Sequence, residues 1–89
     1  MSQRTVAVAS LVGLHARTAA LFVQAATATG FSVRIGRADD ESVDARSILG
    51  VMTLGAKHGE EVVLTADGDG ADAALDELVA LLSRDLDAE

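Results

Sequence analysis

The chain has 89 residues, 49% of them hydrophobic and 24% charged, with no cysteine, no proline and only Phe22 and Phe31 as aromatics. That profile fits one globular domain over residues 1–89 with a core of Val, Leu, Ile and Ala. It excludes disulfides, thiolate metal sites and a Cys nucleophile, and a formal net charge of −7 opposes nucleic-acid binding, which needs a basic surface. No apolar run is long enough to span a bilayer and nothing after Met1 reads as a secretory signal, so a cytoplasmic protein without direct membrane insertion is expected.

Thr5–Ala9 alternates in hydropathy and reads as a strand. Ser10–Leu14 reads as a loop. From Ala16 to Ala28 the period becomes helical, with Ala19, Val23 and Ala26 on one stripe flanked by Ala20 and Phe22, and Gly30 stands where such a helix ends. Phe31–Ile35 alternates again as a second strand. Asp39, Asp40 and Glu41 form a polar turn, and Ser42–Ala45 is a short third strand. Ser47–Leu54 is a short helix, N-capped by Ser47 and weakened by two glycines. Glu61–Ala66 is the clearest strand, with Val62 and Leu64 on one face and Val63 and Thr65 on the other. The Asp67–Gly70 turn leads into a long amphipathic helix with Ala71, Leu75, Leu78 and Leu82 on one stripe. Asp69 is the expected cap of that helix, and Asp72 places favourable charge in its first turn. Helices with one apolar stripe and strands with one apolar face pack as two layers, here an antiparallel sheet covered on one side.

Charge is uneven. Through Ala38 the chain carries Arg4, Arg17, Arg34 and Arg37 and no carboxylate side chain. Within that basic part lies Gly13-Leu14-His15-Ala16-Arg17, at the start of the first helix. The first helical turn leaves backbone N–H groups without intrahelical partners, and the macrodipole adds positive potential. The backbone of Ala16 and Arg17 is therefore suited to an anion, and the Arg17 guanidinium can fork onto phosphate oxygens. An imidazole is nucleophilic at its unprotonated nitrogen, and the same positive end favours the neutral ring of His15. An exposed His, free N–H donors and an Arg are what phosphoryl transfer to a side chain requires, because that chemistry rests on positioning and charge stabilisation. The plainer reading of spacing alone is a surface His beside a helix start.

Gly13-Leu14-His15-Ala16-Arg17 resembles the active-site motif of the HPr family, the histidine phosphocarriers of the phosphoenolpyruvate-dependent sugar phosphotransferase system. Val43-Asp44-Ala45-Arg46-Ser47-Ile48-Leu49-Gly50-Val51-Met52-Thr53-Leu54-Gly55-Ala56 is similar to the family's second motif, around its regulatory serine. The resemblance extends over the Gly59–Leu64 strand and the start of the last helix at Gly70-Ala71-Asp72-Ala73-Ala74. It implies an α+β fold, an open-faced β-sandwich in which a four-stranded antiparallel sheet has three helices packed on one face. It implies that His15 accepts a phosphoryl group on Nδ1 from phospho-Enzyme I and passes it to sugar-specific IIA proteins or domains, with Arg17 stabilising the phosphate. The chain would then be a monomeric phosphoryl carrier without a cofactor rather than an independent catalyst. Thr18 departs from the family's usual proline, Asp44 from asparagine and Arg46 from lysine.

Ser47 matches the serine that a dedicated kinase phosphorylates in some family members; the same serine is also an ordinary N-cap. Ile48, Leu49, Val51, Met52 and Leu54 cannot all face inward from one short helix, so some are exposed for a partner. Leu49 and Met52 are the interface residues that the resemblance implies, while Ile48 and Val51 are expected in the core. His58 reads as solvated surface. No spacing of His, Asp or Glu marks a metal site. The alternative function is a regulatory interaction module of the same fold, acting through Ser47 and the neighbouring apolar patch; relatives of that kind lack the active-site His. A small-molecule-binding domain of similar plan is a third reading.

Overall fold

The structure, a computed structural model, describes residues 2–9, 16–37, 41–54 and 57–83. The Ser10–Leu14 loop, His15 and the turn acids Asp39 and Asp40 lie outside the described residues.

The elements follow the expected order: β1 (Ser2–Ala7), α1 (Ala16–Ala28), β2 (Arg34–Arg37), β3 (Val43–Asp44), α2 (Ile48–Thr53), β4 (Glu61–Ala66) and α3 (Ala71–Leu82). The strands form one antiparallel sheet in the order β1-β4-β2-β3. Its register aligns Arg4, Leu64, Ile35 and Val43 across all four strands. Period-two alternation sends Val62, Leu64 and Ala66 of β4 into the core and leaves Val63 and Thr65 half-buried on the other face. Helix α3 lies over β1 and β4, and α1 packs between α3 and α2. This is the open-faced α+β arrangement, with three helices on one side of the sheet.

The core is aliphatic apart from Phe22, with Ile35, Val51, Val62, Leu64, Leu75 and Leu78 fully buried. Helix α1 buries Ala19, Phe22, Val23 and Ala26, together with Thr18, the one fully buried polar residue among those described. No buried side-chain polar atom among the described residues lacks a partner, as burial of polar groups demands.

Three expectations need correction. β1 starts at Ser2 and ends at Ala7, because Ser2 and Gln3, polar as they are, still pair with Ala66 and Thr65 of β4. β2 starts at Arg34 rather than Phe31. The Val33 amide turns back onto the Phe31 carbonyl at 3.1 Å, and the Phe31 ring packs over the Gly68–Gly70 turn, where a Cβ on Gly68 would meet it at 3.2 Å. Asp69 does not cap α3. The cap residue is Gly70, held at φ 90° with no side-chain hydrogen bond, a left-handed conformation that glycine adopts without steric cost. Asp72 does occupy the first turn.

Candidate functional site

Helix α1 begins directly after His15 in the sequence. Its first two residues, Ala16 and Arg17, are exposed, and its first turn holds no acidic residue. The amides of Ala16 and Arg17, which open the helix, have no acceptor within it, so positive potential collects at this end of α1. Thr18, the third residue, turns inward and is fully buried. This inward residue separates exposed Arg17 from the core side of the helix.

Helix α2 packs against α1. Its N-cap is Ser47, whose extended backbone (φ −102°, ψ 114°) lets its Oγ accept from the Gly50 amide at 3.1 Å, the expected capping geometry. Before it, Asp44 organises the approach to the helix. Its Oδ1 accepts from the Arg46 amide at 2.9 Å and from Arg46 Nε at 3.2 Å, while its Oδ2 accepts from Arg46 Nη2 at 3.3 Å. The Arg46 guanidinium and amide hold the Asp44 carboxyl below the usual carboxylate range.

On α2, Val51 and the C-cap residue Leu54 are buried. Leu49 is 77% exposed, Ile48 43% and Met52 38%. Ile48 was expected in the core and is not there. Ile48 is the first residue of α2, and although it shares a helix face with Val51 three positions on, it stays exposed while Val51 is fully buried. The fourth exposed large apolar residue is Leu21, at 39%, on α1. All four exposed large apolar residues among those described therefore lie on the two helices that pack together, α1 and α2. The structure thus brings onto neighbouring elements Arg17, Ser47, Leu49 and Met52.

His58, read from sequence as solvated surface, is exposed but not free. Its Nδ1 lies 3.2 Å from the carbonyl oxygen of Ala9, which the residue's turn-like surroundings did not signal. Among the described residues no cluster of His, Cys, Asp and Glu could hold a metal ion. No helix among them is long and apolar enough to cross a membrane. A concavity of about 160 Å³ is lined by Ser32, Arg34, Thr65, Ala66 and Asp67. It is smaller than ordinary small-molecule sites of ~300 Å³ or more and shares no residue with the surface on α1 and α2.

Comparisons with known proteins agree with this geometry. The family model for the PTS HPr component phosphorylation site matches residues 2–84. The phosphocarrier protein HPr of Streptomyces coelicolor is 51% identical over 87 residues, covering 98% of this chain and 94% of that protein. The HPr-like protein Crh of Bacillus subtilis is 40% identical over 86 residues, covering 97% of this chain and 100% of that one. Among solved structures, HPr-C-His from Thermoanaerobacter tengcongensis superposes with a TM-score of 0.84 at 40% identity, over 92% of this chain and 91% of the other. The chain belongs to the HPr family, the phosphocarrier proteins of the phosphotransferase system.

Proposed function

We propose that this chain, as a single HPr-like domain acting in the cytoplasm, accepts a phosphoryl group on His15 from phospho-Enzyme I and delivers it to IIA proteins or domains. The observation that carries this reading is the opening of α1: an acid-free first turn with exposed Arg17, immediately following the histidine, on a helix packed against the one that displays Leu49 and Met52.

The step needs no cofactor. The lone pair of His15 Nδ1 forms a bond to phosphorus as the bond between phosphorus and the donor breaks, its electron pair leaving with the donor. The ring keeps its proton on Nε2 and becomes cationic until that proton is lost. The free amides of Ala16 and Arg17 and the Arg17 guanidinium face the phosphoryl oxygens and stabilise their charge. Delivery reverses the step on the acceptor protein. The carrier supplies nucleophile and phosphate cradle, and its partners supply the rest of the chemistry. Leu49 and Met52 give those partners an apolar anchor, and the adaptable Met side chain suits more than one of them.

A second reading draws on the likeness to Crh and on exposed Ser47 at the cap of α2. In it the chain is a regulatory interaction module that a serine kinase modifies at Ser47. The two readings separate in one assay. The chain, first loaded by Enzyme I and phosphoenolpyruvate and then freed of donor, is mixed with a IIA protein. A carrier loses its phosphate and the IIA protein gains one. A regulatory module takes no phosphate from Enzyme I at all and gains one only from a serine kinase with ATP.

A further inference from the structure

Asp67 and Asp69 are the aspartates of this chain that precede a glycine, and both Asp-Gly steps fall in the exposed turn between β4 and α3. A glycine sets no side chain beside its own nitrogen, so the carboxyl of the aspartate before it can approach that nitrogen. The turn treats the two steps differently. Asp67 is engaged with a partner, and the Phe31 ring closes on Gly68, 3.2 Å from where a Cβ would stand. Asp69 does not cap α3 and makes no hydrogen bond or ion pair with a described residue. The Gly70 amide has no acceptor among the described residues either, and the ring stands off to 3.5 Å there. The other described aspartates precede Ala or Glu and are paired, Asp44 with Arg46 and both Asp72 and Asp76 with Arg4. Asp69 is thus an unpaired carboxyl beside an unbonded amide.

We propose that Asp69-Gly70 is a site of isoaspartate formation, a covalent change that loosens the start of α3. The Gly70 nitrogen attacks Cγ of the protonated Asp69 carboxyl. An N–C bond forms, the nitrogen gives up its proton, and the carboxyl hydroxyl takes that proton and leaves as water. A second water molecule then opens the cyclic imide. Addition at the former side-chain carbonyl restores Asp69. Addition at the backbone carbonyl breaks the original peptide bond and leaves the chain running through Cβ and Cγ, longer by a methylene, with the α-carboxylate as its side group. The Ala71 amide donates to the Gly68 carbonyl at 3.1 Å across this step. Ala71 is buried at the foot of α3, which covers β1 and β4. A methylene added between Gly68 and Ala71 breaks the fit of that bond. The inference is independent of the phosphocarrier reading.

The test ages the whole chain and its Asp69→Glu variant at physiological temperature in mildly acidic buffer, where carboxyl groups carry more protons. Glu keeps the charge and sets its carboxyl too far out for the same ring. Isoaspartate is counted with an isoaspartate-specific protein methyltransferase as reagent and located by electron-based fragmentation in mass spectrometry. The expected result is isoaspartate at Asp69 about fivefold above that at Asp67, the factor that one ordinary hydrogen bond makes, with slower accumulation in mildly alkaline buffer. The isoaspartate fraction of wild type, separated by chromatography, should melt about 5 °C below the fresh chain, as a domain of this size does on losing one such bond. Aged Asp69→Glu should keep its melting temperature. Isoaspartate no more abundant at Asp69 than at Asp67, or an isoaspartate fraction that melts with the fresh chain, overturns the inference.

Discussion

Leu49 and Val51, two positions apart on α2, stand on opposite sides of that helix: Val51 has no accessible surface, and Leu49 keeps 77% of its own. One short element therefore serves the core with one side chain and solvent with its neighbour. Leu49→Asp is expected to weaken binding to Enzyme I about tenfold, as loss of an apolar anchor at an interface does. Its stability should stay within ~0.5 kcal/mol of wild type, because the side chain makes little contact with the fold. Val51→Ala should do the reverse, costing ~2 kcal/mol for two buried methyls and the cavity they leave. Titration calorimetry for the first quantity and urea unfolding for the second separate the two roles. Equal binding by Leu49→Asp would remove Leu49 from the interface.

Ser47 closes the first turn of α2 through its Oγ. Ser47→Ala should cost ~1 kcal/mol in urea unfolding, whereas Ser47→Asp, which keeps a capping oxygen, should stay within a few tenths of wild type. If Ser47 also serves a kinase, incubation with that kinase and ATP should add one phosphate by mass to wild type and none to Ser47→Ala. A phosphate there adds charge beside the exposed Leu49 and Met52 and should lower the rate of uptake from Enzyme I.

Asp44 and Arg46 make stability depend on pH. The pair holds the Asp44 carboxyl below its usual range in the folded protein, and the Ser2 hydroxyl and Arg4 guanidinium do the same for Asp72. Between the folded and unfolded pKa values the unfolded chain binds more protons, so stability rises with pH there. The contribution is complete above the ordinary carboxylate range and is lost as pH falls through the lowered folded values. Asp44→Asn should flatten the acid limb of the stability profile and leave the neutral limb parallel to that of wild type. Both groups are exposed, so the change should be small and should shrink further in salt. Thermal melts across the acid range at two salt concentrations check it.

Thr18 is fully buried at the third position of α1, where the family usually has proline. Proline is favoured at the start of a helix, where its fixed φ fits the helical backbone. Thr18→Pro should fold and take up phosphate at a rate within about threefold of wild type, read by the same uptake assay. A larger loss would mean that the Thr18 amide or hydroxyl contributes to the site.

The elements that were legible in the sequence are those whose apolar period is long. α1 and α3 match their expected spans because Ala19, Val23 and Ala26, and Leu75, Leu78 and Leu82, repeat over several turns and end at glycine or a turn. Glu61–Ala66 matches because a central strand between β1 and β2 must alternate. What escaped depends on tertiary contact. The register with β4 draws polar Ser2 and Gln3 into β1. Phe31 looks like a strand residue by period but packs on the Gly68–Gly70 turn. On α2, six residues are too few for a period to sort Ile48 from Val51. The motif around His15 reads by spacing alone as a surface His at a helix start; its meaning as a phosphoryl site comes from the resemblance to the HPr family, and His15 itself lies outside the described residues. The His58–Ala9 bond joins residues 49 positions apart, and no local pattern announces such a pair.

Intact mass after incubation with Enzyme I and phosphoenolpyruvate, on wild type and on His15→Ala, tests the phosphocarrier reading most directly. If His15 is the acceptor, wild type gains one phosphate that is lost in acid, and His15→Ala gains none while unfolding at the same temperature. A wild type that gains no phosphate from an Enzyme I active on another carrier, or a His15→Ala variant that gains as much as wild type, contradicts it.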